Sequence, residues 1–422
     1  MWNKSFKAKF DPLFKVQFLA AINDNLLKSA LLVLISYNTA GKILNLSEEQ
    51  AITFAVGLFI LPFFLFSSYA GKIADYYDKI KIVKIIKICE ILIMLIASIG
   101  FILNLPVIII LSLFLMGVHS TFFGPIKYSI LPEYFEKEDV ILATGYIEMG
   151  TFIAILVGQG LGSWLMSSHG TYIIIALLLL LSAVGCYYSF KMFKVASIGT
   201  KPTFYLNIFK DVFFVYQNAV KNRQIRRNLH SISWFWAIGT IYTTQLSILT
   251  KIYFGGDGHV FSVIMGLFSI SIGVGSLVCA RQLRGKIIHS YATFGMVCLS
   301  CITIFLLLLN SKEYSFQSSL NEFTSSIHGM FIFIEIFMIG FFAGFYSVTC
   351  YSELQLIAPI EIRSQIIAAN NILNAFYMVL ASVISSIILS FTKVWWLIMI
   401  AALINLIFAV YYHRSSKLNS SF

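Results

Sequence analysis

Twelve long apolar stretches recur along this 422-residue sequence, and they restrict its fold more than any other feature. Each is close to the length of about 20 residues that a helix needs to cross a bilayer. They cover roughly residues 14–37, 51–70, 85–104, 106–126, 141–166, 171–193, 229–253, 260–281, 288–310, 328–350, 365–391 and 394–412. We therefore predict an all-α membrane protein with about twelve transmembrane helices.

The longest polar connection, the basic stretch at residues 194–228, divides these spans into two sets of six. The sets resemble each other, because spans four and ten are each followed by a proline (Pro132, Pro359), a charged turn and an I-x-A run. This pattern indicates a parallel repeat with its substrate site between the halves. We predict an N-terminal half at 1–193, a cytoplasmic linker at 194–228 and a C-terminal half at 229–422. Within the linker, residues 204–220 predict an amphipathic helix on the membrane surface.

Composition excludes several classes of protein. Only 12% of residues are charged, whereas soluble domains carry about 25%. The net charge of +11 could indicate nucleic acid, but the basic residues border apolar spans, so membrane lipids are the expected partner. The six cysteines fall in or beside spans, and Cys298 and Cys301 have no second ligand pair nearby. We expect no metal, no cofactor, no nucleic acid and no cleaved signal peptide.

Basic residues predict the orientation. With both termini in the cytoplasm, 25 of the 30 Lys and Arg residues lie on that side. The opposite side receives Lys42, Lys251, Lys312 and Lys393, and Lys28 lies within the membrane. This asymmetry satisfies the positive-inside rule. The cytoplasmic set includes Lys72, Lys79, Lys87 and Arg227.

The first span carries Asp24 and Lys28 near its middle. A charge at the bilayer centre costs about 2.5–3.5 kcal/mol on insertion scales, so two charges in one span require a reason. Their i, i+4 spacing places them one turn apart on one helical face. Either they stabilise each other inside a bundle, or their face lines a polar cavity.

Other polar residues within spans have structural alternatives. Glu90 and Glu335 are interpreted as structural, or as carriers of a coupling proton. Glu353, with Gln355, either takes part in gating or caps a helix. The glycines of GQGLG, Gly158, Gly160 and Gly162, predict close helix packing, because no strand precedes them and their spacing does not fit a dinucleotide site.

The stretch GKIADYYDKIK, from Gly71 to Lys81, is similar to the G-x-x-x-D-x-x-x-[RK]-x-[RK] signature of the major facilitator superfamily. The resemblance implies the fold of that superfamily and a gating role for this loop. Gly71 would permit close helix approach, and Asp75 would cap a helix or pair across the cytoplasmic gate. Lys79 and Lys81 would lie at head-group level. The alternative is an ordinary basic hairpin.

A narrower resemblance comes from residues 17–31, 123–134, 143–162 and 368–376, which are similar to the lysophospholipid transporter branch of that superfamily. Residues 232–245 are more similar to the transporter module fused to acyltransferase and acyl-carrier-protein synthetase domains. The resemblance implies a flippase that moves lysophosphatidylethanolamine from the outer to the inner leaflet of the bacterial inner membrane by alternating access. It further implies a separate acyltransferase that acts on the product.

The same resemblance implies site residues. Asp24 matches the family's acidic residue of the first helix, with Asn25 beside it, and Lys127 matches the lysine of a P-x-K-Y element. Lys127 would bind a phosphate as a compact charge, while Asp24 or Glu148 would hold an ammonium group or pair with a lysine.

Further cavity residues are expected in the second half of the chain. They are Gln245, Asn370 and Asn374. Gln245 lies in TIYTTQLS, where the unfused branch carries an arginine that would pair with the first-helix acid. We therefore predict that Asp24 pairs with Lys28 instead.

Two rival functions remain open at this stage. One is a proton-coupled small-molecule or drug transporter of the same fold, with Asp24, Glu90 or Glu335 as the proton carrier. The other is a membrane-bound acyltransferase, which needs an H-x4-D element with histidine as general base. None of the seven histidines is followed by aspartate at that spacing. We therefore predict a transporter and not an enzyme.

Overall fold

The computed structural model describes residues 4–38, 48–168, 170–194, 204, 207–283 and 285–417. Within these residues the chain is almost entirely helical, and the only β-pairing is one isolated bridge between Gly256 and Ser318. The helices are α1 (Lys4–Asn38), α2 (Glu48–Tyr76), α3 (Lys79–Ile102), α4 (Pro106–Ser129), α5 (Leu131–Tyr134), α6 (Lys137–Ser167), α7 (Thr171–Ser189), α8 (Ile208–Val220), α9 (Arg223–Leu249), α10 (Gly258–Leu283), α11 (His289–Leu309), α12 (Leu320–Ser325), α13 (Ile327–Ile357), α14 (Arg363–Leu389) and α15 (Val394–Lys417). The predicted all-α membrane fold is confirmed.

In the described ranges, eleven helices are long and apolar enough to cross a membrane. They coincide with eleven of the twelve predicted spans. The predicted span at 229–253 also forms a helix, α9, but α9 is more polar than the others. Three of its polar side chains, Arg227, Ser233 and Gln245, contact other residues of the second unit.

Side-chain caps and turns set several helix ends. Asp78 begins α3 by accepting hydrogen bonds from the amides of Ile80 and Lys81, as an N-cap carboxylate does. Asn222 begins α9 in the same way. A π-helical turn, Thr250–Phe254, follows α9, and Gly255 ends it in the left-handed conformation at φ 68°, where glycine is favoured because it has no Cβ.

The chain forms two compact units that interleave along the sequence. The first unit comprises Met1–Glu136, Ile153–Lys221 and Ala358–Ile372, and the second comprises Lys137–Phe152, Asn222–Ile357 and Leu373–Phe422. Helices α6 and α14 therefore each contribute one part to each unit. The predicted boundaries at 193/194 and 228/229 stay a prediction.

The core of the first unit is an apolar cluster from α1 to α4, α6 and α7 that includes Leu27, Met94 and Leu113. Helix α6 crosses α1 closely: a Cβ at Gly158 would lie 2.5 Å from the Ile22 carbonyl oxygen, and one at Gly162 would lie 2.6 Å from that of Leu26. A Cβ at Gly160 would meet nothing within 4 Å. The packing prediction is thus confirmed for Gly158 and Gly162, which have the small-xxx-small spacing, and is wrong for Gly160.

In the second unit, helices α10 and α13 cross at glycines. A Cβ at Gly275 would overlap the Phe341 carbonyl, and one at Gly344 would overlap the Ser276 amide. Around this crossing lies an apolar cluster that includes Cys279 and Val348. Small residues thus set the closest helix contacts inside both units.

The predicted amphipathic helix exists as α8, although residues 205 and 206 of the predicted stretch lie outside the described residues. Its buried Asp211 forms an ion pair of 2.5 Å with Lys72 of α2. The opposite face exposes Phe209 and Phe213. Lys72, counted among the cytoplasmic charges, lies on α2 with its ammonium group buried against α8, and the side of the membrane on which it lies stays a prediction.

Candidate substrate site

Helix α1 holds Asp24 and Lys28, both half-buried, within a candidate membrane span. The predicted ion pair between them is wrong. Asp24 Oδ2 instead accepts a hydrogen bond of 2.7 Å from the Ser120 hydroxyl of α4. Lys28 Nζ lies 5.6 Å from the centre of the Phe59 ring of α2, within cation–π range. Asp24 therefore contacts α4, and Lys28 contacts α2. The spacing on α1 does not reveal these neighbours.

Neither charge forms a salt bridge within the part of the chain that the structure describes. No ion pair to Asp24 or Lys28 occurs there, and Asp24 Oδ1 is buried without a hydrogen-bond partner. An acid and a base one turn apart thus remain available to a ligand. This arrangement is complementary to a ligand that carries both charges.

Asn25 lies on a different face of α1 from Asp24. Its side-chain amide donates to the Ala21 carbonyl at 2.8 Å, and its oxygen accepts from Gln159 of α6 at 3.4 Å. Asn25 therefore lies at the crossing of α1 and α6 that Gly158 permits.

One face of α4 carries Ser120, Gly124 and Lys127 at i, i+4 and i+7. A Cβ at Gly124 would lie 2.8 Å from Asn371 Nδ2. Lys127 is half-buried, with its ammonium 4.8 Å from the centre of the Tyr128 ring. Seven residues of helix span roughly 10 Å, so this face forms a polar strip from the Asp24–Ser120 contact to Lys127.

The first part of α14, which belongs to the first unit, carries Asn370 and Asn371. Asn370 is fully buried, and both of its side-chain polar atoms lack a hydrogen-bond partner among the residues described. Asn371 Nδ2 is likewise without one. Buried amides normally find partners, which makes these atoms candidates for contact with a ligand or water. Sequence reasoning selected Asn370 and missed Asn371, although the pair stands together in AANN.

Three predicted site residues belong to the second unit. Glu148 is fully buried on α6. Gln245 is half-buried on α9 and donates to Thr244 at 3.4 Å. The Asn374 side-chain oxygen accepts from the Ser233 hydroxyl at 2.9 Å. Asn374 is therefore anchored to α9 within its own unit.

The first part of the signature, on α2, contacts the start of α14 inside the first unit. Asp75 Oδ1 accepts from the Ser364 amide at 2.8 Å, and Oδ2 accepts from the Gln365 amide at 3.1 Å. A Cβ at Gly71 would lie 2.7 Å from the Ala368 Cβ. Asp75 thus caps the start of α14, and Gly71 lies where a larger residue would force the helices apart.

The two signature lysines differ in environment. Lys79 is buried and forms an ion pair of 2.7 Å with Glu133 of α5. Its ammonium group donates to Glu133, 54 residues away in sequence, and its predicted place at head-group level stays a prediction. Lys81 is exposed.

The first unit also contains a buried ionic cluster that sequence reasoning missed. Lys87 and Glu90 of α3 are fully buried and pair at 2.5 Å, and His119 Nε2 of α4 lies 3.2 Å from Glu90. Asn23 of α1 donates to Glu90 at 2.9 Å. Lys87, counted among the cytoplasmic charges, lies inside α3; the signal for the pair was its i, i+3 spacing inside a predicted span.

A second buried cluster lies in the second unit. Arg227 of α9 pairs with Glu353 of α13, which also lies 3.2 Å from His289 Nδ1. Tyr412 of α15 donates to Glu353 at 3.3 Å. Glu353 is therefore an ion-pair partner and not a helix cap, and Arg227, predicted in the linker, is a buried residue of α9. Gln355, the neighbour of this cluster in sequence, accepts from Thr144 of α6 at 3.3 Å.

The comparison with known families decides the class of protein. The model described as Major Facilitator Superfamily matches residues 13–376. The chain belongs to the major facilitator superfamily. This superfamily member is a multi-pass membrane transporter. Its polar strip lies on helices that are candidate membrane spans.

Curated relatives narrow the comparison. The superfamily member is 25% identical over 285 residues to the "Lysophospholipid transporter LplT" of Escherichia coli (strain SE11), covering 67% of each chain. The protein of the same name from Shigella boydii serotype 4 matches equally. The predicted resemblance to the lysophospholipid transporter branch is thereby confirmed as a similarity.

Solved structures confirm the fold of this superfamily member. The transporter FucP, in the outward conformation, matches with a TM-score of 0.70 and 11% identity over 97% of this chain and 99% of its own. A bacterial homologue of the iron transporter ferroportin gives 0.71 at 12% identity, over 96% and 99%. The human organic anion transporter MFSD10 gives 0.73 at 11%, over 97% and 100%.

Proposed function

We propose that this protein is a lysophospholipid transporter that moves lysophosphatidylethanolamine-type lipids from the outer to the inner leaflet of the bacterial inner membrane by alternating access. The observation that carries the proposal is the acid and base one turn apart on α1, Asp24 and Lys28, neither of which forms a salt bridge in the described structure. A zwitterionic head group supplies one charge for each. A substrate with only one charge would leave the other residue uncompensated in the membrane.

In this proposal Asp24 binds the ammonium group, and Lys28 binds the phosphate. Ser120 holds the Asp24 carboxylate in place, and the Phe59 ring supports the Lys28 ammonium. Lys127, roughly 10 Å along α4 from Ser120, is a second phosphate contact that the head group reaches as it moves. The amides of Asn370 and Asn371 supply neutral hydrogen bonds along the same route.

The second unit contributes Glu148, Gln245 and Asn374 in the same proposal. Glu148 offers a further carboxylate for an ammonium group, while Gln245 and Asn374 offer uncharged donors and acceptors. Gly71, Asp75, Lys79 and Lys81 form the gating loop, since a carboxylate that caps α14 is a contact that a conformational change can break. The acyl chain stays in apolar surroundings throughout, so only the head group needs a polar route.

Two further elements of the proposal concern the cell. Both termini lie in the cytoplasm, in agreement with the distribution of basic residues. A separate acyltransferase converts the delivered lysolipid into a diacyl lipid. The similarity to LplT supports the substrate class.

The test is transport of labelled lysophosphatidylethanolamine into proteoliposomes. We expect Asp24→Asn, Lys28→Ala and Lys127→Ala each to lower the initial rate at least tenfold. Lys15→Ala is the matched control: Lys15 lies on the same helix, pairs with Asp11 at 2.7 Å and is over a third exposed, so its loss should change little. Wild-type transport no faster than in empty liposomes would refute the proposal.

A proton-coupled small-molecule transporter is the second candidate. Glu335 of α13 favours it, because both carboxylate oxygens are buried and lack partners in the described residues. Buried acids within spans often mark proton routes. If this candidate is correct, Glu335→Gln abolishes uptake of a small-molecule substrate driven by a pH gradient, and lysolipid transport is absent.

A further inference from the structure

A groove on the first unit is separate from the strip proposed for the substrate. It has a volume of about 1070 Å³ and is walled by the end of α2, one face of α3 and part of α4. On α3 the wall follows Lys81, Ile85, Cys89, Leu92 and Ile96, whose spacing of three and four residues keeps them on one helical face.

The groove opens sideways from a candidate membrane span. Ile85 and Leu92 are 62% and 54% exposed, and α3 is among the helices long and apolar enough to cross a bilayer. The α4 wall is mostly apolar, with Leu115, Val118 and Phe122, and its one polar side chain there is the buried His119, which faces Glu90. Hydrocarbon of the surrounding bilayer is therefore the medium that meets this surface.

One end of the groove is polar. Tyr76, Tyr77, Asp78 and Lys81 line it where α3 begins. Lys81 is exposed and forms no ion pair in the described chain. The nearby Asp78 carboxylate is occupied as the cap of α3, accepting from the Ile80 amide at 2.9 Å. The Lys81 ammonium is thus free to meet an anion, and the exposed Tyr77 side chain lines the same end of the groove.

The dimensions fit one lipid leaflet. From Ile85 to Ile96 the helix rises roughly 16 Å, and half of a hydrocarbon core of about 30 Å is about 15 Å. Lys81 lies one further turn toward the start of the helix, where a head group would be. An acyl chain along α3 would therefore place its phosphate at Lys81.

We propose that this α3 groove is a binding site for an anionic diacyl phospholipid, with an acyl chain along Ile85–Ile96 and the phosphate against Lys81 and Tyr77. The occupant comes from the bulk bilayer, because the groove opens laterally. An anionic head group satisfies Lys81, which has no protein carboxylate to pair with among the described residues. The site does not depend on the lysophospholipid proposal.

Cys89 provides a native reporter in the middle of the groove. It is exposed, and so is Cys301 on α11 of the second unit, which is the internal control. In purified protein we expect phosphatidylglycerol to slow the reaction of Cys89 with N-ethylmaleimide at least fivefold and to leave Cys301 unchanged. Equal slowing of both thiols, or no slowing of Cys89, would overturn the proposal.

Variants test the two ends of the groove. Lys81→Ala should raise about tenfold the phosphatidylglycerol concentration that is needed to protect Cys89. Lys84→Ala should leave that concentration unchanged, because Lys84 does not line the groove and lies 5.1 Å from the Phe190 ring. Leu92→Trp should remove one bound phosphatidylglycerol in native mass spectrometry, and Leu95→Trp, on exposed α3 surface outside the groove, should retain it. Stronger protection by lysophosphatidylethanolamine or phosphatidylcholine would refute an anionic diacyl occupant.

Discussion

At the scale of single residues, the buried and half-buried charges of this chain divide into paired and unpaired groups. Lys87 with Glu90 and Arg227 with Glu353 are buried and paired. Asp24 and Lys28 have no charged partner within the described residues. Since an unpaired charge in hydrocarbon is expensive, its retention points to a ligand, whereas the paired charges are explained by structure.

The Lys87–Glu90 pair leads to a prediction about stability. Removing one partner of a buried ion pair leaves the other charge uncompensated and costs about 3–5 kcal/mol. We expect Glu90→Gln to lower the melting temperature in detergent by about 10 °C. The double variant Lys87→Met/Glu90→Gln should recover most of the loss, because no lone charge remains.

Glu335→Gln is the matched control for this experiment. Glu335 is also a buried acid in a span, but it has no partner in the described structure, so the amide should leave the melting temperature unchanged. If Glu90→Gln has the melting temperature of the wild type, the cluster does not stabilise the first unit.

At the scale of helices, the closest contacts depend on glycines at particular positions and not on glycine content. In GQGLG, Gly158 and Gly162 face α1 at carbonyl distance, while Gly160 faces open space. The crossing also positions Asn25 and Ser29 of α1: Ser29 donates to the Gln159 carbonyl at 2.9 Å. The geometry of the helix that bears Asp24 and Lys28 therefore depends on this contact.

This crossing predicts a selective effect of glycine substitution. Gly158→Val places side-chain atoms against the Ile22 carbonyl, forces α6 away from α1 and should lower both the melting temperature and transport. Gly160→Val introduces the same β-branched residue into the same helix where there is space, so it should be nearly neutral. The melting temperature and the transport rate of both variants check this, and equal effects would contradict the proposed crossing.

At the scale of the whole molecule, the sequence predicts the fold well because span length and polarity are local properties. The eleven apolar helices fall where the spans were predicted. The site is harder to predict, since its partners are distant along the chain: Ser120 lies 96 residues from Asp24, and Ser364 lies 289 residues from Asp75. Lys72, Lys79 and Lys87 were assigned to a loop because a charge count does not reveal a buried carboxylate.

The orientation of the molecule across the membrane is the last prediction, and it depends on the basic residues alone. Helix α11 has 21 residues, which is roughly 31 Å and enough to cross a hydrocarbon core. Exposed lysines flank it, Lys286 before and Lys312 after. The positive-inside rule places Lys286 in the cytoplasm and Lys312 outside.

Cysteine substitution at these two positions tests the orientation with one variant as the control for the other. We expect Lys312→Cys to react with a membrane-impermeant maleimide in intact spheroplasts, and Lys286→Cys to react only after permeabilisation, each measured above the labelling of the parent protein. The reverse pattern would invert the molecule.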